Sequence, residues 1–264
     1  MNVLEDILAS KRREIVELRA DDPPATTLKR STSDVVGLLR RGPGEPLRIL
    51  AEIKFKSPSA GPLSRAMDAG ARAAAYARAG ASMVSVLCDA PFFAGGWGDL
   101  AEARTRLDGL QRDVPLLAKE FVLDELQLDR ARAAGADAVL LIARIVSPER
   151  LAELHRAARR RDLRPVVEVV NEEELAAAIA AGAKVIGVNA RDLDSLAMDA
   201  ERAARVLSKI PAGCIKIHLS GIRDPEGIRA VAASGADAAL VGETLMRQDD
   251  PEPLLRALVD AAHG

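Results

Sequence analysis

Short apolar runs alternate along this chain with longer stretches in which apolar residues recur every three or four positions. The short runs fall at residues 49–54, 83–88, 115–119, 138–142, 166–170, 185–189, 215–220 and 238–241. Nearly continuous apolar runs of this length read as strands of a parallel sheet covered on both faces. Helical patterns lie between them, among them 147–161, 172–181 and 225–234. Ser147-Pro148 and Asp224-Pro225 read as helix starts, a capping side chain followed by proline in the first turn. The phrases Ala79-Gly80-Ala81, Ala134-Gly135-Ala136, Ala181-Gly182-Ala183 and Ser234-Gly235-Ala236 each end a helical stretch just before an apolar run. Glycine there supplies the left-handed residue that caps a helix. Eight strand–helix units favour closure into an α/β fold of the (β/α)8 TIM barrel type over an open sheet.

Residues 1–48 precede the first strand and read as an N-terminal helical extension, with 49–264 as a single catalytic barrel. A helix over 3–18 carries Leu4, Ile7, Leu8, Ile15 and Leu18 on one stripe. A shorter one over 33–41 follows the polar, proline-bearing link 21–26. Such an extension either plugs the bottom of the barrel or leans over its mouth.

At 264 residues and 48% hydrophobic content the chain has enough apolar material for one barrel. Lysine and arginine (37) nearly balance aspartate and glutamate (39), so no nucleic acid or acidic membrane is expected as a partner. Cys88 and Cys214 lie in apolar runs without metal or redox spacing, as buried thiols of a reducing compartment do. The first residues lack the basic-then-apolar order of a signal peptide, and no apolar stretch approaches the roughly 18 residues of a membrane span. A soluble cytoplasmic protein is the expectation.

In such barrels the working site lies at the C-terminal ends of the strands. Read there, the sequence offers Glu52 with Lys54, Lys119, Glu168, Asn189 with Arg191, Ser220-Gly221 and Gly242-Glu243. Glu52 and Lys54 are two apart and so share one strand face. A structural ion pair would look the same. Lys119 and Glu168 are each ionisable in an otherwise apolar strand and need a counter-charge or a shifted pKa. Two lysines and two carboxylates around one mouth can serve as general acid and base, with pKa values drawn toward neutrality. Ser220-Gly221 and Gly242-Glu243 follow the seventh and eighth strands, where barrels commonly hold phosphate on glycine-turn amides, although glycines also simply end strands. Phe92, Phe93 and Trp97 crowd the loop after the second strand, as a pocket for an aromatic substrate or as a cover for the core. His155 and His263 read as surface residues and His218 as outward-facing, and no His/Cys/Asp cluster has metal spacing.

These residues resemble the indole-3-glycerol phosphate synthase family of tryptophan biosynthesis. The likeness spans essentially the whole chain, through Ala51-Glu52-Ile53-Lys54 with Ser57-Pro58-Ser59, Phe92-Phe93 with Gly95, Lys119 with Phe121, Glu168, Gly187-Val188-Asn189 with Arg191-Asp192-Leu193, Ser220-Gly221-Ile222 and Val241-Gly242-Glu243. The resemblance implies a small-molecule anilino-sugar phosphate, 1-(2-carboxyphenylamino)-1-deoxyribulose 5-phosphate, and its ring closure, decarboxylation and dehydration. It further implies Lys119 as general acid, Lys54 held by Glu52 on the substrate carboxylate, and Glu168 on the cationic intermediate and in dehydration. Asn189 would orient the sugar with Arg191 nearby, and Ser57, Ser220, Gly221, Gly242 and Glu243 would surround the phosphate. Phe93, Phe121, Leu140 and Leu196 would line the ring pocket. No metal or organic cofactor is implied, and tryptophan-pathway enzymes are admitted as partners. The chain departs from the family pattern at three positions, with Leu219 where glutamate is usual, Ala60 where lysine is usual and Gly96 where serine is common. A re-tuned synthase, a relative acting on a modified anthranilate adduct, another sugar-phosphate isomerase and a phosphate-binding paralogue remain the alternatives.

Overall fold

All eight apolar runs form parallel strands: β1 (Arg48–Ile53), β2 (Met83–Leu87), β3 (Leu116–Lys119), β4 (Ala138–Ile142), β5 (Arg164–Val169), β6 (Val185–Val188), β7 (Ile215–His218) and β8 (Ala238–Val241). The computed structural model that carries them describes residues 3–20, 28–29, 31, 33–191 and 197–263. Each strand pairs with the next, and β1 closes the ring onto β8 with Arg48 opposite Ala238 and Ala51 opposite Val241. The (β/α)8 barrel is therefore as the alternation of patterns predicts.

Side chains two apart share a strand face, so each strand sends alternate residues inward. Leu50, Met83, Leu117, Leu140, Val166, Val185, Ile217 and Leu240 fill the interior, while the other face packs under the surrounding helices. Helix ends follow their sequence signals. Ser147 Oγ accepts the Arg150 amide at 3.2 Å and Asp224 Oδ1 the Gly227 amide at 2.9 Å. Gly80, Gly135, Gly182 and Gly235 all have positive φ, between 79° and 103°, which only a residue without Cβ adopts at no steric cost.

The N-terminal extension does both things that its sequence left open. Helix α1 (Val3–Ala20) crosses the C-terminal mouth, where Arg19 pairs with Asp124 at 2.7 Å and Leu4 and Ile7 join the interior cluster. Helix α2 (Val35–Leu39) sits at the opposite end. Arg41, just past it, donates its amide to Asp237 at 3.1 Å ahead of β8, and Leu39 is fully buried in the barrel floor.

One expectation changes, and one choice left open is settled. His155 is buried, because it lies four residues from Leu151 and one from Leu154 and so shares the inner stripe of the helix Pro148–Arg160. Trp97 starts the helix Trp97–Asp108 and packs on the outer layer, leaving Phe93 to face the mouth. Cys88 and Cys214 are buried free thiols, and among the described residues no helix is long and apolar enough to cross a membrane.

Candidate active site

On four of the strands the inward-facing series turns from apolar to polar at the mouth. On β1 the series runs Leu50, Glu52, Lys54; on β3, Leu117 then Lys119; on β5, Val166 then Glu168; beyond β6, Gly187 then Asn189. These top-layer groups enclose a cavity of about 850 Å³. Glu52, Lys54, Ser57, Phe93, Lys119, Phe121, Leu140, Glu168, Asn189, Arg191, Ser220, Gly221, Gly242 and Glu243 all line it. Leu196 lies outside the described residues.

Glu52 is the hub. Its carboxylate, only 2% exposed, takes Lys54 Nζ on Oε1 at 2.7 Å and Lys119 Nζ on Oε2 at 2.9 Å. Gly242 makes room for it, since a Cβ at that position would collide with Glu52 Oε1. A second chain of hydrogen bonds runs along the other rim. Asn189 Nδ2 donates to Glu168 Oε1 at 2.9 Å, Ser220 Oγ donates to Asn189 Oδ1 at 2.8 Å, and the Arg191 amide donates to the same Asn189 oxygen at 3.0 Å. This network fixes the Asn189 amide, leaving its remaining N–H for a ligand.

The expectation of pKa values drawn toward neutrality is met by Glu168 alone. Burial pushes its carboxyl up, and the Lys119 charge and the Asn189 hydrogen bond offset only part of that rise. Glu52 moves the other way. Burial by itself would raise it, but the ammoniums of Lys119 and Lys54 outweigh burial and bring it down to about 2. Lys119 is raised, because the attraction of Glu52 and Glu168 exceeds the burial penalty on its charge. A pair that shares a proton-poor carboxylate stabilises both charged forms at once. Lys119 is therefore an ammonium at neutral pH, and Glu168 is the one carboxyl of the three groups that moves toward gaining a proton.

The barrel order separates two arcs of the mouth. Phe93, Phe121, Leu140 and Ile142, from the ends of β2 to β4, form an apolar arc with the Phe93 and Phe121 rings 6.0 Å apart. Opposite, the loops after β6, β7 and β8 bring Arg191, Ser220, Gly221, Gly242 and Glu243. Ser57, from the β1 loop, accepts the Ala60 amide at 3.0 Å, so a short side chain at residue 60 leaves that turn intact. Glu243 is held on Arg247 at 2.8 Å, which with Arg191 and Lys54 keeps its carboxyl below the ordinary range. Leu219 is 3% exposed and lies over Gly187, whose absent Cβ would come 2.5 Å from Leu219 Cδ1. It extends the apolar lining to the β7 side. Sequence reading missed Val3, Leu4 and Ile7 of α1, and Arg223, Thr244 and Arg247 after β7 and β8, as lining residues. Among the described residues no group of His, Cys, Asp or Glu is placed to hold a metal ion.

Residues 4–258 match the family described as indole-3-glycerol phosphate synthase. The chain is 40% identical to indole-3-glycerol phosphate synthase 1 of Streptomyces coelicolor, over 99% of this chain and 96% of that protein. It is 36% identical to the Rhodopirellula baltica indole-3-glycerol phosphate synthase, over 98% and 99%. Among solved structures, tryptophan synthase subunit alpha from Legionella pneumophila superposes with a TM-score of 0.61 at 15% identity, covering 81% of this chain and 92% of that one. That last likeness speaks for the barrel alone. The full-length match, together with the lysine and carboxylate ring at the strand ends, places this chain in the indole-3-glycerol phosphate synthase family.

Proposed function

We propose that the chain is a carboxy-lyase that converts 1-(2-carboxyphenylamino)-1-deoxyribulose 5-phosphate into indole-3-glycerol phosphate, carbon dioxide and water, as a cytoplasmic step of tryptophan biosynthesis alongside other enzymes of that pathway. The observation that carries this reading is the mouth with two arcs: aromatic walls on the β2–β4 side, glycine turns and arginines on the β6–β8 side, and two ammoniums on one carboxylate. A substrate bearing an aromatic ring, a phosphate and a carboxylate uses all three.

In this reading Phe93, Phe121 and Leu140, with Leu196, hold the ring, and Gly221 and Gly242 amides with Ser57, Ser220 and Arg191 hold the phosphate. Lys119 gives its proton to the ketone oxygen as the ring carbon bearing the carboxylate attacks the keto carbon. A carbon–carbon bond forms, and the aromatic amine becomes an iminium. Lys54 binds the carboxylate until its bond to the ring breaks; carbon dioxide leaves and the electron pair returns to the iminium. Lys119, reprotonated from solvent after ring closure, gives a second proton to the new hydroxyl, whose carbon–oxygen bond breaks to release water, while Glu168 takes the proton from the neighbouring carbon. Glu168 suits this task because its burial raises its basicity above that of a solvated carboxylate. Asn189, fixed by Glu168 and Ser220, orients the sugar hydroxyls.

Purified protein is incubated with the anilino-ribulose phosphate and indole fluorescence is followed. Product formation proportional to enzyme is expected; no product at any enzyme concentration, with phosphate binding intact, sinks the reading.

Two substitutions refine it. Gly242→Ala sets a methyl against Glu52 Oε1 and pushes the carboxylate off its lysines. A fall in kcat/KM on the order of tenfold to a hundredfold is expected, since small displacements of catalytic groups have effects of that size. Leu219→Glu buries a carboxyl among apolar neighbours, which raises its pKa above the unfolded value. Its stability deficit against the wild type should be small below the ordinary glutamate range and grow as pH rises through it, because ionising the buried group costs more than ionising it in the unfolded chain. Urea unfolding at pH 4 and pH 7 reads this; a deficit independent of pH means the new carboxyl finds a counter-charge at the mouth.

A further inference from the structure

The mechanism leaves a buried charge cluster beside the mouth unused. Lys11 of α1 is 0% exposed, and its ammonium meets three carboxylates, Glu14 at 2.7 Å, Asp89 at 3.0 Å and Glu120 at 3.0 Å. The ammonium donates hydrogen bonds to Glu14 at 2.7 Å and to Glu120 Oε2 at 3.1 Å, and it faces Asp89 Oδ2 as an ion pair. Two of the carboxylates belong to the barrel. Asp89 follows β2 and caps the turn that carries Phe92 and Phe93, accepting the Phe92 amide at 2.8 Å. Glu120 stands between Lys119 and Phe121 and accepts the Phe121 amide at 2.7 Å. Asp89 and Glu120 are themselves buried, so without Lys11 two carboxylates would face each other in a dry space. Burial pushes Glu120 up to about 7, although the Lys11 charge and the Phe121 amide draw it down.

Its position is specific. Leu4, Ile7 and Ile15 are buried on one stripe of α1, and Lys11 occupies the turn between them. An apolar residue there would seat the helix equally well against a greasy surface. Lysine seats it on the two carboxylates that flank the apolar arc.

We infer that Lys11 is a positioning residue for the reaction: its buried ammonium fastens α1 across the mouth and ties the Asp89 turn to the Lys119-Glu120-Phe121 segment, holding the ring wall and the acid in register. The inference rests on the ring and acid assignments proposed above. Remote displacements of about 1 Å cost around a hundredfold in rate when they reach reacting groups, and this cluster sits one residue from both Lys119 and Phe121.

The test is Lys11→Met, which keeps length and shape and removes the charge. Wild type and variant are compared by steady-state kinetics on the anilino-ribulose phosphate, by competitive inhibition with inorganic phosphate, and by hydrogen exchange of α1 amides in ligand-free protein. Expected are a fall in kcat/KM of about a hundredfold with KM raised, a phosphate inhibition constant within about twofold of wild type, and faster exchange in α1 with barrel strands unchanged. A lysine with a purely structural role would lower the folded fraction, and so kcat, with KM untouched. That result, or α1 exchange equal to wild type, overturns the inference. Hydrogen exchange reads the fastening even if the wild type turns over no substrate, so failure of the proposed reaction and failure of the fastening are distinguishable. Should Lys11→Met not fold, Glu120→Gln keeps an acceptor for the Phe121 amide while removing the charge that Lys11 grips; a raised KM with unchanged phosphate inhibition is expected, and kinetics equal to wild type count against the inference.

Discussion

Replacing Lys119 by alanine should lower kcat by about 10²- to 10⁴-fold, the range set by loss of a general acid, while inorganic phosphate still binds. In the proposed mechanism Lys119, rather than Lys54, is the acid. Lys119 ends β3 and is held by the strand ladder, whereas Lys54 lies just beyond β1 on the way into the loop. Lys119 is also 18% exposed, close to the apolar arc through Phe121, and its charge is supported by Glu52 at 2.9 Å and by Glu168. An acid with a raised pKa is fully protonated at neutral pH and stays available on every turnover. Its alkaline limb should therefore lie above the ordinary lysine range, and the acid limb should be set by Glu168, above the ordinary glutamate range. Profiles of kcat/KM against pH, which report groups of the free enzyme, check both limbs. Turnover of the alanine variant within a few-fold of wild type would assign the proton donor elsewhere.

The period of two made most of the site legible. Leu50 and Glu52, Leu117 and Lys119, and Val166 and Glu168 are pairs in which an apolar interior position is followed, two residues on, by an ionisable one, and only a closed mouth reconciles the two. What the sequence could not show is who pairs with whom. Glu52 and Lys54 read as a pair from spacing alone, but the second lysine on Glu52 comes from two strands away, and that sharing turns the expected shifts toward neutrality into shifts away from it for Glu52 and Lys119. His155 was hidden by its charged neighbours Arg156 and Arg159, although its spacing from Leu151 follows the buried stripe. Lys11 left a stronger trace. Its turn of α1 is the place where the stripe of Leu4, Ile7 and Ile15 is interrupted by charge, but Lys11-Arg12-Arg13-Glu14 looks like a solvated run until the barrel supplies Asp89 and Glu120.

Glu52→Gln should give the largest combined loss, in stability as well as in rate. The carboxylate is buried beneath two ammoniums, and removing one member of a buried ion set leaves the others uncompensated. Its pKa of about 2 against an unfolded value of 4.5 corresponds to about 3 kcal/mol of native stability at neutral pH. The sign follows from the direction of the shift. A depressed carboxyl stabilises the native state fully above its unfolded pKa and loses that contribution as pH falls through its folded pKa, so the gap between wild type and Glu52→Gln should be widest near pH 7 and shrink between about pH 4.5 and 2. Urea unfolding across that range measures the gap. The same substitution removes the stronger of the two carboxylate attractions that hold Lys119 protonated, so the alkaline limb of kcat/KM should move down as activity falls. A stability gap that stays constant with pH, together with an unmoved alkaline limb, would show that Glu52 is a packing group and that Lys119 draws its charge support from Glu168.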